Sequence, residues 1–192
     1  LDPKNGMALN NLGNAFSRQA QTKQGEDADR LFTAAFEKCA KAIELDPKNS
    51  MAFNNWGAAL FAQAKTKQGE DADRLFTAAF EKYAKAVEID PKNDSAFYSW
   101  GAVLSAQAQT KQGEDRTRLF QEAERVLDLA KAITRKGTYN LACVYALTVQ
   151  MEKCRAELEQ CLADGTLPDA NHLREDKDLE GIRREAWFLD LV

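Results

Sequence analysis

Histidine is almost missing from this sequence. His172 is the only one in 192 residues, and it lies in a polar tail with no cysteine or second histidine close by in sequence. Neither a histidine-based metal site nor a Cys–His nucleophile pair is expected from it. The four cysteines, Cys39, Cys143, Cys154 and Cys161, contain no C-x-x-C pair. Each falls where a helical pattern calls for a small apolar residue, so they read as buried free thiols, which favours a reducing compartment. Glycines never cluster into a phosphate-cradling loop, since those of "KQGED" stand singly. The acidic pairs Glu26-Asp27 and Glu70-Asp71 read as solvated helix starts rather than acid–base machinery. No catalysis, cofactor or metal is expected. There is no run of about 18 apolar residues to span a membrane. The net charge of −4, with no basic stripe, points away from nucleic acid. The opening "LDPKNGMALNN" lacks the basic and apolar regions of a signal peptide. It also lacks an initiator Met and starts inside a repeated phrase, so the expectation is a piece of a longer protein in a cytoplasmic or other reducing soluble compartment.

What the sequence does contain is repetition. "LDPKN" at Leu1 and Leu45 and "IDPKN" at Ile89 set a period of 44 residues, and "TKQGEDADRLFTAAFEK" occurs letter for letter at Thr22–Lys38 and Thr66–Lys82. Periods of this size signal solenoids. Residues 1–44 and 45–88 differ at ten positions; eight lie between Gly6 and Gln21, and only Cys39/Tyr83 and Ile43/Val87 lie later. Each unit reads as two helices. Asp46-Pro47 and Asp90-Pro91 stop one helix, and Asn49 or Asn93 can cap the next. First helices are expected at about 6–22, 50–66 and 94–110, and second helices at about 26–45, 70–89 and 114–135. Gly25, Gly69 and Gly113 mark the turns between them. Leu31, Phe32, Ala35, Phe36, Cys39 and Ile43 recur at three- and four-residue spacing as one apolar face. Such a hairpin cannot bury that face alone and must stack on neighbours.

"MALNNLGNAF", "MAFNNWGAAL" and "SAFYSWGAVL" resemble first helices of tetratricopeptide repeats, and "EKCAKAIELDP" and "EKYAKAVEIDP" the ends of second helices. The matching residues are Gly13, Gly57 and Gly101, Ala35, Ala79, Ala42 and Ala86, and the closing Pro47 and Pro91. Leu12, Trp56 and Trp100 fill the large apolar slot before each glycine. The family repeat has about 34 residues, and this one has about ten more between Gly13 and Ala35, so both helices should be longer. A fourth unit of ordinary length spans 136–163, matching at Asn140-Leu141-Ala142 and Tyr145, with Val149 where a glycine is usual. The tail, 164–192, resembles the helical caps that follow such arrays; Ile182, Trp187, Phe188 and Leu191 should cover the last hairpin while Arg183, Arg184 and Glu185 face water. The resemblance implies an all-α, right-handed solenoid of stacked antiparallel hairpins with a C-terminal capping helix.

It also implies that first helices line a concave groove. By family register the lining is Met7, Asn10, Asn14, Ser17 and Arg18, then Met51, Asn54, Ala58, Phe61 and Ala62, then Ser95, Tyr98, Ala102, Ser105 and Ala106. No charged residue occurs from Ser50 to Ala64 or from Ser95 to Thr110, and Arg18 is the only one between Gly6 and Thr22. The family's clamp for a peptide's terminal carboxylate uses lysines, arginines and asparagines. Here only Asn10, Asn11 and Asn14 match it, and Asn54 or Tyr98 stands where lysines would be. A neutral groove suits an apolar helix, or an extended peptide whose backbone bonds to Asn side chains. The residues of this face also admit plainer roles: inter-repeat hydrogen bonding for Asn10 and Asn54, core packing for Phe53, Trp56, Phe97 and Trp100. The reading is a non-catalytic interaction scaffold for an apolar or neutral-polar protein segment. Two alternatives stand beside it: an array that self-associates as a homo-oligomer through exposed repeat ends, and a regulatory part of a larger protein.

Overall fold

The computed structural model describes residues 5–192, so the first Leu-Asp-Pro-Lys phrase lies outside the described residues. The described chain is helical, with no strand: α1 (Gly6–Ala20), α2 (Gly25–Leu45), α3 (Ser50–Ala64), α4 (Gly69–Ile89), α5 (Asp94–Gln109), α6 (Gly113–Thr134), α7 (Tyr139–Leu147), α8 (Met151–Ala163), α9 (Ala170–Glu175), a 3₁₀ helix (Lys177–Ile182) and α10 (Ala186–Leu189). Helices α1 with α2, α3 with α4 and α7 with α8 pack as hairpins, the building block of an α-solenoid. The chain divides into two compact units, Leu1–Val103 and Leu104–Val192, and α5 crosses the boundary.

The D-P-K-N phrase carries its own turn chemistry. Asp46 and Asp90 leave the helix in extended backbone, and their Oδ1 atoms accept from the N–H of Lys48 and Lys92 at 3.0 and 3.1 Å. Asn5, Asn49 and Asn93 then accept from the N–H of Ala8, Ala52 and Ala96, each at 3.0 Å, satisfying a donor that the new helix leaves orphaned. The invariant "KQGED" phrase is explained by Gly25, Gly69 and Gly113, whose φ values of 57, 58 and 59° are left-handed and open only to glycine without strain.

In the first unit the hairpins close at glycine. A Cβ on Gly13 would sit 2.9 Å from Cys39 Sγ and 3.1 Å from the Ala35 carbonyl; on Gly57 it would sit 2.9 Å from the Tyr83 ring. Phe32, Ala35, Cys39 and Ala42 are fully buried along α2, as are Ala79 and Ala86 along α4, with Phe76 and Tyr83 nearly so. Burial pushes the Cys39 thiol up to about 12, so it stays protonated and serves as packing. Ala20, Ala28, Phe32 and Ala62, flanked by Leu31 and Phe36, form an apolar cluster joining the first hairpin to α3. Burying a side chain of this size contributes about 2 kcal/mol. A polar clamp frames that contact: Asp29 accepts from Gln63 Nε2 at 2.9 Å and from Lys67 Nζ at 2.8 Å.

In the second unit α7 is apolar all round, with Leu141, Ala142 and Val144 buried. A carboxylate holds its start. Glu157, 4% exposed, accepts from the Thr138 N–H at 2.7 Å and from Lys131 Nζ, tying α6, α7 and α8 together. The α7–α8 turn puts Val149 at φ 60° and 74% exposed, a left-handed conformation that a β-branched residue adopts only under strain. The C-terminal cap consists of three short helical pieces that bury Leu173, Leu179, Ile182 and Phe188. Trp187 and Leu191 are half-buried, and Arg184 and Glu185 are exposed. Arg183 departs from the expectation of a solvated side chain: it is half-buried and donates to the Asp176 carbonyl at 2.8 Å.

Two stability outcomes follow. Hydrogen bonds from Lys67 and Gln63 hold the Asp29 carboxyl below its usual 3.8. A group whose folded pKa is depressed stabilises above its unfolded pKa, and that contribution is lost as pH falls through the folded value. The pair is partly exposed and screened, so Asp29→Asn should cost about 0.5 kcal/mol in urea melts at pH 7, and progressively less as pH falls through the folded value. Replacing Val149 by glycine releases backbone strain and should raise the unfolding free energy by about 1 kcal/mol in the same assay.

Candidate binding face

The expected site residues of the first unit lie on α1, α3 and the start of α5. On α1, Met7 is 72% exposed and Asn14 is exposed, two turns apart and therefore on one face. On α3 the same positions, Met51 and Ala58, are exposed, Met51 by 59%. Ser95 on α5 is exposed as well, and Tyr98 and Ala102 are half-buried. Helices α1 and α3 touch directly, which brings the Met7 and Met51 rows side by side. Ser105, which is buried, belongs to the second unit.

Other members of the set are held by the fold. Asn10 is 1% exposed, and its Oδ1 accepts from Asn55 Nδ2 at 3.0 Å, a bond between successive repeats. Ser17 is buried. Phe61 is half-buried against Phe76, with ring centroids 6.2 Å apart, and the Lys65 ammonium lies 4.7 Å from its centroid. Lys82 covers the half-buried Trp56 in the same way at 4.3 Å.

The contact from α3 to α5 is built with different groups. One repeat on from Asn55 stands Ser99, which hydrogen-bonds the Tyr83 phenol. Burial pushes that phenol well above the usual tyrosine range, and the bond to Ser99 opposes the shift. Asn54, the counterpart of Asn10, keeps its Oδ1 buried without a hydrogen-bond partner among the described residues. Thus Cys39/Tyr83, one of only two differences between the second helices, accompanies the change from Asn55 to Ser99. Sequence reading passed over Asn55 because its partner lies 45 residues away, and no local pattern announces such a pair.

His172 and Cys143 both approach one carboxylate, that of Asp176, although nothing adjacent in sequence suggests it. In the second unit Asp176 Oδ2 accepts from Tyr139 Oη at 2.6 Å, with His172 Nε2 at 3.7 Å and Cys143 Sγ at 4.0 Å. Burial, and after it the Asp176 charge, push the Cys143 thiol well above its ordinary range, so it is no thiolate nucleophile. Asp176 instead starts the 3₁₀ helix by accepting from the Asp178 N–H at 2.9 Å. Among the described residues no group of three or more His, Cys, Asp or Glu side chains is placed to hold a metal ion.

No curated protein matches the chain. Residues 30–153, well over half of it, match the family described as the plant-specific mitochondrial import receptor subunit TOM20. The match runs from within α2 to the start of α8 and so takes in the α3–α4 hairpin and α5 to α7, with α1 outside it. It overturns the expectation of a cytoplasmic or other reducing soluble compartment, because the family is one of a mitochondrial receptor. That expectation drew on the four unpaired cysteines, all of which are free and buried, and buried thiols serve as small apolar packing in any compartment. No described helix is long and apolar enough to cross a membrane. A receptor role goes with protein partners rather than with catalysis, and the chain belongs to the family of the plant-specific mitochondrial import receptor subunit TOM20.

Proposed function

We propose that this chain is a receptor module that holds a segment of another protein against the first-helix face of its tetratricopeptide-like hairpins. The observation that carries the reading is the pair of exposed methionines, Met7 and Met51, at the same place in successive repeats on helices almost free of charge. Exposed methionine is flexible and polarizable, and it adapts to varied apolar side chains. Asn14, Ala58 and Ser95 extend the face with neutral groups. The segment that fits is an amphipathic helix laying its apolar side along the methionine rows, or an extended peptide bonded through its backbone. Membership of an import-receptor family supports a protein ligand. A carboxylate clamp fits less well, since no lysine or arginine stands among these positions except Arg18.

The test is fluorescence anisotropy with a labelled amphipathic peptide carrying leucines at helical spacing, against a scrambled peptide of equal composition. The amphipathic peptide should bind saturably, and Met7→Glu with Met51→Glu should weaken it by about tenfold or more. Because both side chains are exposed, the double variant should melt within about 0.5 kcal/mol of the parent. Amidating the peptide's C-terminus should change affinity by less than about twofold, whereas a clamp would lose a charge-assisted bond. Equal binding of the scrambled peptide, or no effect of the methionine changes, would sink the reading. By contrast Asn10→Ala, which removes the acceptor for Asn55, should destabilise the fold by about 1 kcal/mol.

A further inference from the structure

Counted from Asn55-Trp56-Gly57 and from Asn140-Leu141-Ala142, α3 and α7 run in step for five residues, to Ala62 and Leu147. Beyond Ala62 the chain goes on to set Gln63 and Lys67 on Asp29, and so covers the outer end of α2. Beyond Leu147 it turns away, because α7 ends there and Val149 takes a left-handed conformation before α8. The outer end of α6 is therefore left open within the second unit. The opening arises inside the chain, from an α7 of 9 residues where α3 has 15. It is a cleft of about 480 Å³, lined by Arg116, Thr117, Phe120 and Glu124 of α6 and by Leu147 and Val149 of the turn. That volume falls in the ~300–1,000 Å³ range of ligand sites.

The lining has changed sign. Ala28 and Asp29, repeated as Ala72 and Asp73, become Arg116 and Thr117, while Phe32 stays as Phe120. Where the first contact has an acid that receives a lysine, the cleft has a cation. The Arg116 guanidinium lies 5.0 Å from the Phe120 ring centroid, and no carboxylate pairs with it among the described residues. The charges around it are already satisfied: Arg118 pairs with Asp115 at 3.1 Å, and Glu124 with Lys153 at 3.0 Å. We propose that this cleft binds an acidic segment of a partner protein, one with a carboxylate beside an apolar side chain. The carboxylate meets Arg116, near the place that Lys67 takes over Asp29 in the first contact. The apolar neighbour lies against Phe120, Leu147 and Val149. A protein segment is the occupant because side chains of one segment, Gln63 and Lys67, fill the same place in the first contact. Val149 gives the cleft an apolar lip, 74% exposed and held in strained backbone that glycine would adopt without cost. With a single ion pair near water, binding is weak and depends on salt.

The probe is a short peptide, blocked at both ends, with one Leu-Glu pair among alanines and serines. It is titrated into the ¹⁵N-labelled whole chain at about 50 mM salt. Saturable amide shifts are expected at 116–124 and 147–150. A Leu-Gln peptide should bind about fivefold more weakly or worse, and so should the Leu-Glu peptide at about 0.5 M salt. Arg116→Glu should lose the Leu-Glu peptide and gain a Leu-Lys peptide, which separates lost complementarity from lost folding. Val149→Gly should weaken binding by about threefold although it relieves the backbone, an outcome that damage to the fold would not give. Met7→Glu with Met51→Glu should leave this binding unchanged, so it stands or falls apart from the first-helix face. Absence of shifts at the cleft, equal binding of the Leu-Gln peptide, or indifference to Arg116→Glu would overturn the proposal. So would sedimentation showing self-association that the peptide reverses, since the exposed Leu189-Asp190 of a second copy would then be the occupant.

Discussion

Helix packing in this chain depends on places where one helix has no side chain at all. At Gly13 and Gly57 the neighbouring second helix comes so near that a single methyl would meet Cys39 Sγ or the Tyr83 ring at 2.9 Å, and at Gly137 a Cβ would meet the Cys161 backbone nitrogen at 2.6 Å. Cores packed this tightly tolerate changes of volume poorly. The alanines at 35 and 42 on α2 and at 79 and 86 on α4 are all fully buried beneath these contacts. The Cys39/Tyr83 exchange sits on this contact in both hairpins, since a glycine lies beneath each side chain, and the tyrosine adds a hydroxyl that reaches Ser99.

The helical character was legible because several signals agree. The apolar spacing of Leu31, Phe32, Ala35, Phe36 and Cys39 has the helical period, and the asparagines at 49 and 93 cap the helices that follow them. Long-range polar partnerships were not legible. Glu157 looks like any other acid on the amphipathic α8, yet it is almost completely buried, because Thr138 and Lys131, 19 and 26 residues away, both donate to it. Arg183 is a like case: the carbonyl it donates to belongs to Asp176, seven residues back across the 3₁₀ helix, and no local pattern pairs the two. Within the binding face, periodicity alone groups Asn10 and Ser17 with Met7 and Asn14. Burial divides them, since α3 covers one edge of α1 and leaves the other in solvent.

The compartment is not written in the cysteines. Unpaired cysteines say that the fold needs no cross-link; they do not say where the protein works. A receptor for mitochondrial import can be built from the same thiol-bearing hairpins, and the match over residues 30–153 supplied what composition lacked.

The exact duplication of Thr22–Lys38 at Thr66–Lys82 has a consequence for how the chain finds its fold. Before any hairpin has closed, α1 and α3 each have two nearly interchangeable second helices to choose from. Local propensity cannot tell the choices apart, because it is the same in both. The decision falls to a few positions where the copies differ: Leu12 or Trp56, Cys39 or Tyr83, Ser17 or Phe61. Short turns favour the nearer helix, since closing the longer loop costs more chain entropy. Sequence identity that makes the finished scaffold regular thus makes its assembly register-degenerate, and the divergent half of the repeat is what lifts the degeneracy.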